Sequence, residues 1–259
     1  KIKDFKKIII SWNIVTPVDS YVDIEARVLV NNNLKEKIWS KWLSWGRWGT
    51  NIKRASNSSN CTEAKINVDT LTINEGYIGE AIQIKISSYY DDKESKADLQ
   101  LVVITYCGEK INNKNGKEKL INKLIETPCI SQMKREAEIA NRICSPTSMT
   151  MLLNRLGENL LVEDVAYKCF DYKYNEFGNW SYNVAYAGSL GYKAYIQFGN
   201  IDLLINELNK GYPVEVSVKY TNDINNKLYP YIENAPLTTS GHLIVVCGME
   251  CTKNSKYVI

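Results

Sequence analysis

Apolar and charged residues alternate from Val22 to Val30, with Asp23, Glu25 and Arg27 at the polar positions. A period of two marks a half-buried β-strand. Ile82, Ile84 and Ile86 alternate with Gln83 and Lys85 in the same way, and Leu101 to Tyr106 is a short run of strand-forming residues. Turn material, Asn31-Asn32-Asn33 and Asn57-Ser58-Ser59-Asn60, separates these runs. No helical period persists over three turns in this part, so residues 1–107 are expected to form an antiparallel all-β sandwich. Residues 108–126, dominated by Lys, Asn and Glu around Gly116, read as a linker and a domain boundary.

The pattern then changes to mixed helix and strand. Met149, Leu152, Leu153 and Leu156 occupy one face of an amphipathic helix, with Pro146 suited to its first turn and Gly157 as its stop. Further helices are predicted from Val162 to Cys169, from Trp180 to Ser189 and from Ile201 to Asn209, the last closed by Gly211. Tyr192 to Phe198, Val214 to Val218, His242 to Cys247 and the segment from Tyr257 onward read as strands. The expected fold class is therefore α+β. An all-β sandwich precedes a domain over residues 127–259 in which helices come first and an antiparallel sheet last.

Composition narrows the function classes. Apolar residues make up 44% and charged residues 24%, ordinary values for a globular chain, and no apolar run is long enough to span a membrane. Lys and Arg number 32 against 29 Asp and Glu, too even a balance to point to nucleic acid. The chain opens at Lys1 without Met and stops inside a strand at Tyr257-Val258-Ile259, so it is expected to be a segment of a longer protein. Seven Cys are scattered without a C-x-x-C pair, and most are expected to be small buried hydrophobes. A single His cannot furnish the usual mixed zinc site, and no metal or organic cofactor is expected.

Two residues carry candidate chemistry. Cys144 sits in N-R-I-C-S-P-T-S at the start of the first predicted helix. Unpaired backbone N–H groups and the positive dipole end favour a thiolate there, and the thiolate is the nucleophilic form. His242, the only His, opens an apolar strand after Ser240-Gly241. An imidazole so placed can take the thiol proton and return it to a leaving amine. Each also has a plain structural reading, a buried helix-start Cys and a satisfied or surface His.

Taken together, the motifs go further. Ser131-Gln132, then I-C-S-P-T-S-M-T-M-L-L, W-S-Y-N-V-A-Y-A and S-G-H-L-I-V-V-C-G, resemble cysteine peptidases related to bacteriocin (double-glycine leader) processing peptidases. Within them they resemble the stand-alone bacterial branch whose Cys sits in C-S-P-T-S. The resemblance covers residues 125–259. In the amino-terminal part, S-W-N-I-V-T-P, K-W-L-S-W-G-R-W-G and V-D-T-L-T-I are similar to the β domain that often precedes this catalytic domain.

The resemblance implies a papain-like fold and a thiol peptidase acting through a thiolate–imidazolium pair and an acyl-enzyme. It makes Cys144 the nucleophile, His242 the base, and Gln132 a side-chain donor that completes an oxyanion hole with the backbone N–H of Cys144. It implies peptide or protein substrates, and an extracellular or cell-envelope location. The family's third residue, an Asp or Asn on the strand after the His strand, is expected beyond Ile259. Asn254 is near in sequence, but it lies in a turn. The segment ending at Ile259 is accordingly expected to be weakly active or inactive. Thr221 to Pro236 are expected to flank the cleft.

Trp39, Trp42, Trp45 and Trp48, three apart, admit either a glycan-stacking surface on the β domain or core and interface packing. Acyl transfer or deamidation of transglutaminase type uses the same Cys–His apparatus, and a non-catalytic binding protein on a peptidase fold is the reading from another class.

Overall fold

The computed structural model describes residues 4–32, 34, 36–108, 122–235, 237–252 and 256–259. The amino-terminal elements are all strands: β1 (Lys7–Val15), β2 (Tyr21–Asn32), β3 (Lys37–Trp39), β4 (Leu43–Trp48), β5 (Ser59–Asn60), β6 (Ala64–Asn67), β7 (Thr70–Ile73), β8 (Tyr77–Tyr89) and β9 (Asp98–Cys107). There follow β10 (Lys123–Leu124), α1 (Cys144–Arg155), α2 (Val162–Cys169), α3 (Trp180–Ser189) and α4 (Ile201–Lys210). The chain closes with β11 (Val214–Tyr220), β12 (Thr239–Val246), β13 (Gly248–Cys251) and β14 (Lys256–Val258). The class is mixed α+β, with an all-β first part as the alternation predicts.

Contacts divide the chain into two compact units, one built on Lys1–Asn113 with Tyr167–Phe198 and the other on Lys114–Ala166 with Gly199–Ile259. The expected division was into consecutive stretches, 1–107 and 127–259. Residues 109–121, most of the expected linker, lie outside the described residues. The chain instead returns residues 167–198 to the amino-terminal unit, and the reason is visible in β1.

Every residue from Ile8 to Ile14 is buried, so β1 is covered on both faces. In the first unit β1 is an inner strand of an antiparallel sheet ordered β5-β6-β7-β1-β9, while β2 pairs with β3, β4 and β8 in a second sheet. The inward positions of β2, Val22, Ile24, Ala26, Val28 and Val30, are fully enclosed, and the alternate positions are half-exposed. On its other face β1 meets α3. Ser181 Oγ donates to the Ile10 carbonyl at 2.8 Å, and the Asn13 amide bonds both backbone groups of Ala194, at 2.8 and 3.1 Å.

Tyr192 to Phe198 is not a strand, contrary to the pattern. Its backbone is held by side chains instead of a ladder, with the Ile196 N–H donating to Ser11 Oγ and the Phe198 N–H to Thr105 Oγ1. Gly188 on α3 is required here, since a Cβ would collide with the Asn13 side chain. The start of α3 is supplied by two side chains: Asn179 accepts from the Tyr182 N–H at 3.1 Å and Asp69 from the Trp180 N–H at 2.9 Å.

The second unit positions the site. β11 and β12 form an antiparallel ribbon in register Val214↔Val246 to Val218↔His242. One pleat of it, with Val216 and Val246, packs on Ile205 and Leu208 of α4 together with Ile125 and Met249. α1 lies against β12 and β11. β13 pairs with β10 and β14 in a small separate sheet.

Candidate active site

Cys144 is the first residue of α1, preceded by Ile143, which offers no side-chain cap. The thiol is half-buried. The backbone N–H of Leu243, the residue after His242, favours its anionic form, as do the amides of Ser145 and Cys144 itself. Those amides are the helix-start donors anticipated from sequence. They do not prevail. Burial is the largest influence and pushes the thiol pKa up, and the nearby Glu215 carboxyl pushes it the same way. The expected depressed thiol is thus absent from this conformation, because desolvation outweighs the helix start.

His242 is half-buried, its ring edge-on to Tyr220 at 6.1 Å between centroids. Burial alone pushes its pKa down, favouring the neutral imidazole. Neither the thiol nor the imidazole acts on the other. The pleat explains this: His242 pairs with Val218 and projects with Val216 and Val246, whereas Leu243 and Glu215 project to the other side, where Ser145 is bonded to Glu215. The structure therefore brings Cys144 to the strand that carries His242, with no hydrogen bond between the two side chains. In this state both are neutral.

Gln132 opens a short 3-10 turn, Gln132–Lys134, and its Nε2 donates to the Ala140 carbonyl at 2.8 Å. Ala140 begins a second such turn, Ala140–Arg142, that leads into α1. Gln132 is thus tied to the backbone just before the nucleophile candidate, with its second amide hydrogen uncommitted by that bond. Asn254 lies outside the described residues. The loop from Thr221 is anchored at its base, where the buried Thr221 pairs with Thr238 at 2.7 Å, and it carries exposed Ile224, Leu228 and Tyr231.

Sequence reasoning missed Glu215. It accepts from Ser145 Oγ at 3.1 Å, and its carboxyl is enclosed although the residue as a whole is only half-buried. Burial pushes its pKa up to about 8, with the Ser145 bond opposing. Within V-E-V-S-V it reads as an outward strand position, and only the packing of α1 over that pleat reveals it.

The remaining cysteines are free thiols, and Cys169 is the one that is buried, so the expectation of mostly buried cysteines does not hold. Among the described residues no group of three or more His, Cys, Asp or Glu converges as a metal site, and no helix is long and apolar enough to cross a membrane. The Trp series splits. Trp45 and Trp48 are core residues, while Trp39 and Trp42 are 37% and 38% exposed. The Arg27 guanidinium lies over both exposed rings, at 4.9 and 5.0 Å, and Lys85 over Trp42 at 5.1 Å, so cations occupy faces that a sugar would need.

The start of α1, with Cys144, lies against β12, the strand that bears the sole His of the sequence. The chain belongs to the Peptidase C39-like family, whose model matches residues 124–259, and residues 2–105 match the Peptidase C39 N-terminal domain. It is a C39-like cysteine peptidase in its family relationship, with the accompanying amino-terminal domain. Neither the curated proteins nor the solved structures yield a match to the chain.

Proposed function

We propose that the protein is a papain-like thiol peptidase with Cys144 as nucleophile, His242 as general base and Gln132 as an oxyanion donor. The observation that carries this reading is the packing of α1, which begins at Cys144, against β12, the strand that bears the only His of the sequence. The reaction begins when the imidazole takes the thiol proton. The thiolate attacks a peptide carbonyl, the backbone N–H of Cys144 and the free amide hydrogen of Gln132 receive the developing oxyanion, and the imidazolium protonates the leaving amine. Water then releases the acyl group.

The test is intact-mass labelling with a peptidyl electrophile, alongside cleavage of a peptide library, for wild type, Cys144→Ala and His242→Ala. One adduct mapping to Cys144 is expected, lost in Cys144→Ala and slowed about tenfold or more in His242→Ala, the scale of general-base assistance. Label spread over several cysteines and indifferent to His242 would refute the assignment and leave a binding protein. Adding a primary amine to the cleavage assay separates hydrolysis from acyl transfer.

A further inference from the structure

The buried carboxyl beside the nucleophile has no place in that mechanism, yet it contacts the residue next to it. Glu215 is held by the Ser145 hydroxyl, and Ser145 is the second residue of α1. We propose that Glu215 is a positioning residue for Cys144: through Ser145 it fixes the start of α1, and its charge state sets how readily the thiol ionises. This rests on the reading of Cys144 as the reacting thiol.

The surroundings support the assignment. From α1 the titratable group facing Glu215 is Cys144, and the Glu215 charge raises the thiol's proton affinity. From β12 the cross-strand neighbours on the same pleat are Val245, directly opposite, and Leu243, with His242 on the other pleat. α4 packs on that other pleat through Ile205 and Leu208, and its Glu207 and Lys210 pair with each other. Asp202, at the first turn of α4, belongs to the same far side. Farther along β11, Lys219 lies over the Tyr229 ring. The Glu215 ionisation is set by burial and by the Ser145 hydroxyl, with no cation among its causes.

A carboxyl so placed is protonated at neutral pH and becomes charged on the alkaline side. Protonated, it bonds Ser145 without opposing a thiolate. Charged, it opposes one within the same enclosed space. The two groups then share their titration, and the thiolate forms in a stretched transition displaced to high pH. The consequence is a delay: reactivity is still gaining at pH values where an isolated thiol would have levelled off.

The experiment is the alkylation rate of Cys144 by iodoacetamide from pH 6 to pH 10, read by intact mass, with folding checked by circular dichroism. Glu215→Gln keeps the shape and the Ser145 bond but cannot ionise. It is expected to give a single-proton curve with a lower midpoint, and a rate at pH 9 about three- to tenfold above wild type. Ser145→Ala, which removes the bond favouring the charged carboxyl, should move the midpoint in the same direction by less. Profiles of both variants that superimpose on wild type, with label still lost in Cys144→Ala, overturn the proposal. Peptide cleavage run in parallel keeps the two readings apart. A shifted profile without cleavage removes the peptidase and leaves the Glu215 control standing. Cleavage that depends on Cys144 with an unmoved profile removes the Glu215 control alone.

Discussion

A carboxylate shielded from water must be solvated by the protein, and Asp171 is. It is fully buried and accepts from the Ser56 hydroxyl and backbone N–H, from the Lys173 and Tyr174 N–H groups, and from the Asn179 amide. Removing it strands several donors at once. Asp171→Ala is expected to lower stability by about 3 kcal/mol in urea unfolding, with Asp171→Asn costing about half. Glu215 is the contrasting case, enclosed with a single hydroxyl donor and driven to a raised pKa. Neither was legible in sequence, for one reason: a lone acid in a loop or at an alternating strand position looks solvent-facing until the covering element is known. Cys144, His242 and Gln132 were nominated as candidates by the local strings in which each sits. What the strings could not convey was the pleat on which His242 stands.

Elements were read well where one period governed them. The α1, α2, α3 and α4 spans and the β2 alternation followed from spacing. Failures came where side chains replaced backbone partners or where register slipped. The segment Tyr192 to Phe198 has the composition of a strand but takes its bonds from Asn13, Ser11 and Thr105. Two residues three apart fall on opposite faces of a regular strand, yet Trp45 and Trp48 are both buried. The slip lies between Ile24↔Gly46 and Glu25↔Ser44, which leaves Trp45 as an extra residue beside Gly46 at φ +94° and resets the alternation. The close seat of α3 on β1 gives a test at this scale. Gly188→Leu must displace Asn13, and a loss of about 2–3 kcal/mol is expected in chemical denaturation. A neutral result would mean that α3 can lift from β1 without cost.

At the scale of the chain, the first unit is discontinuous in sequence: its sheets come from the amino-terminal part and one covering layer from residues 167–198. Stability should follow these units and not the order of residues. Asp171→Ala is expected to speed amide hydrogen exchange in β1 and β4, remote in sequence, more than in α1 and β12. Equal acceleration throughout would mean a single cooperative block. The family matches divide the chain near residues 105 and 124, a division that the layout of contacts does not follow. Synthesis makes that difference consequential. A nascent chain emerges from its amino terminus, and a domain complete in its first hundred or so residues could fold as it appears. Here the outer face of β1, from Ile8 to Ile14, has no cover until α3 has been made. The apolar strand must wait on the ribosome, through the whole of α1, for the segment that will shield it.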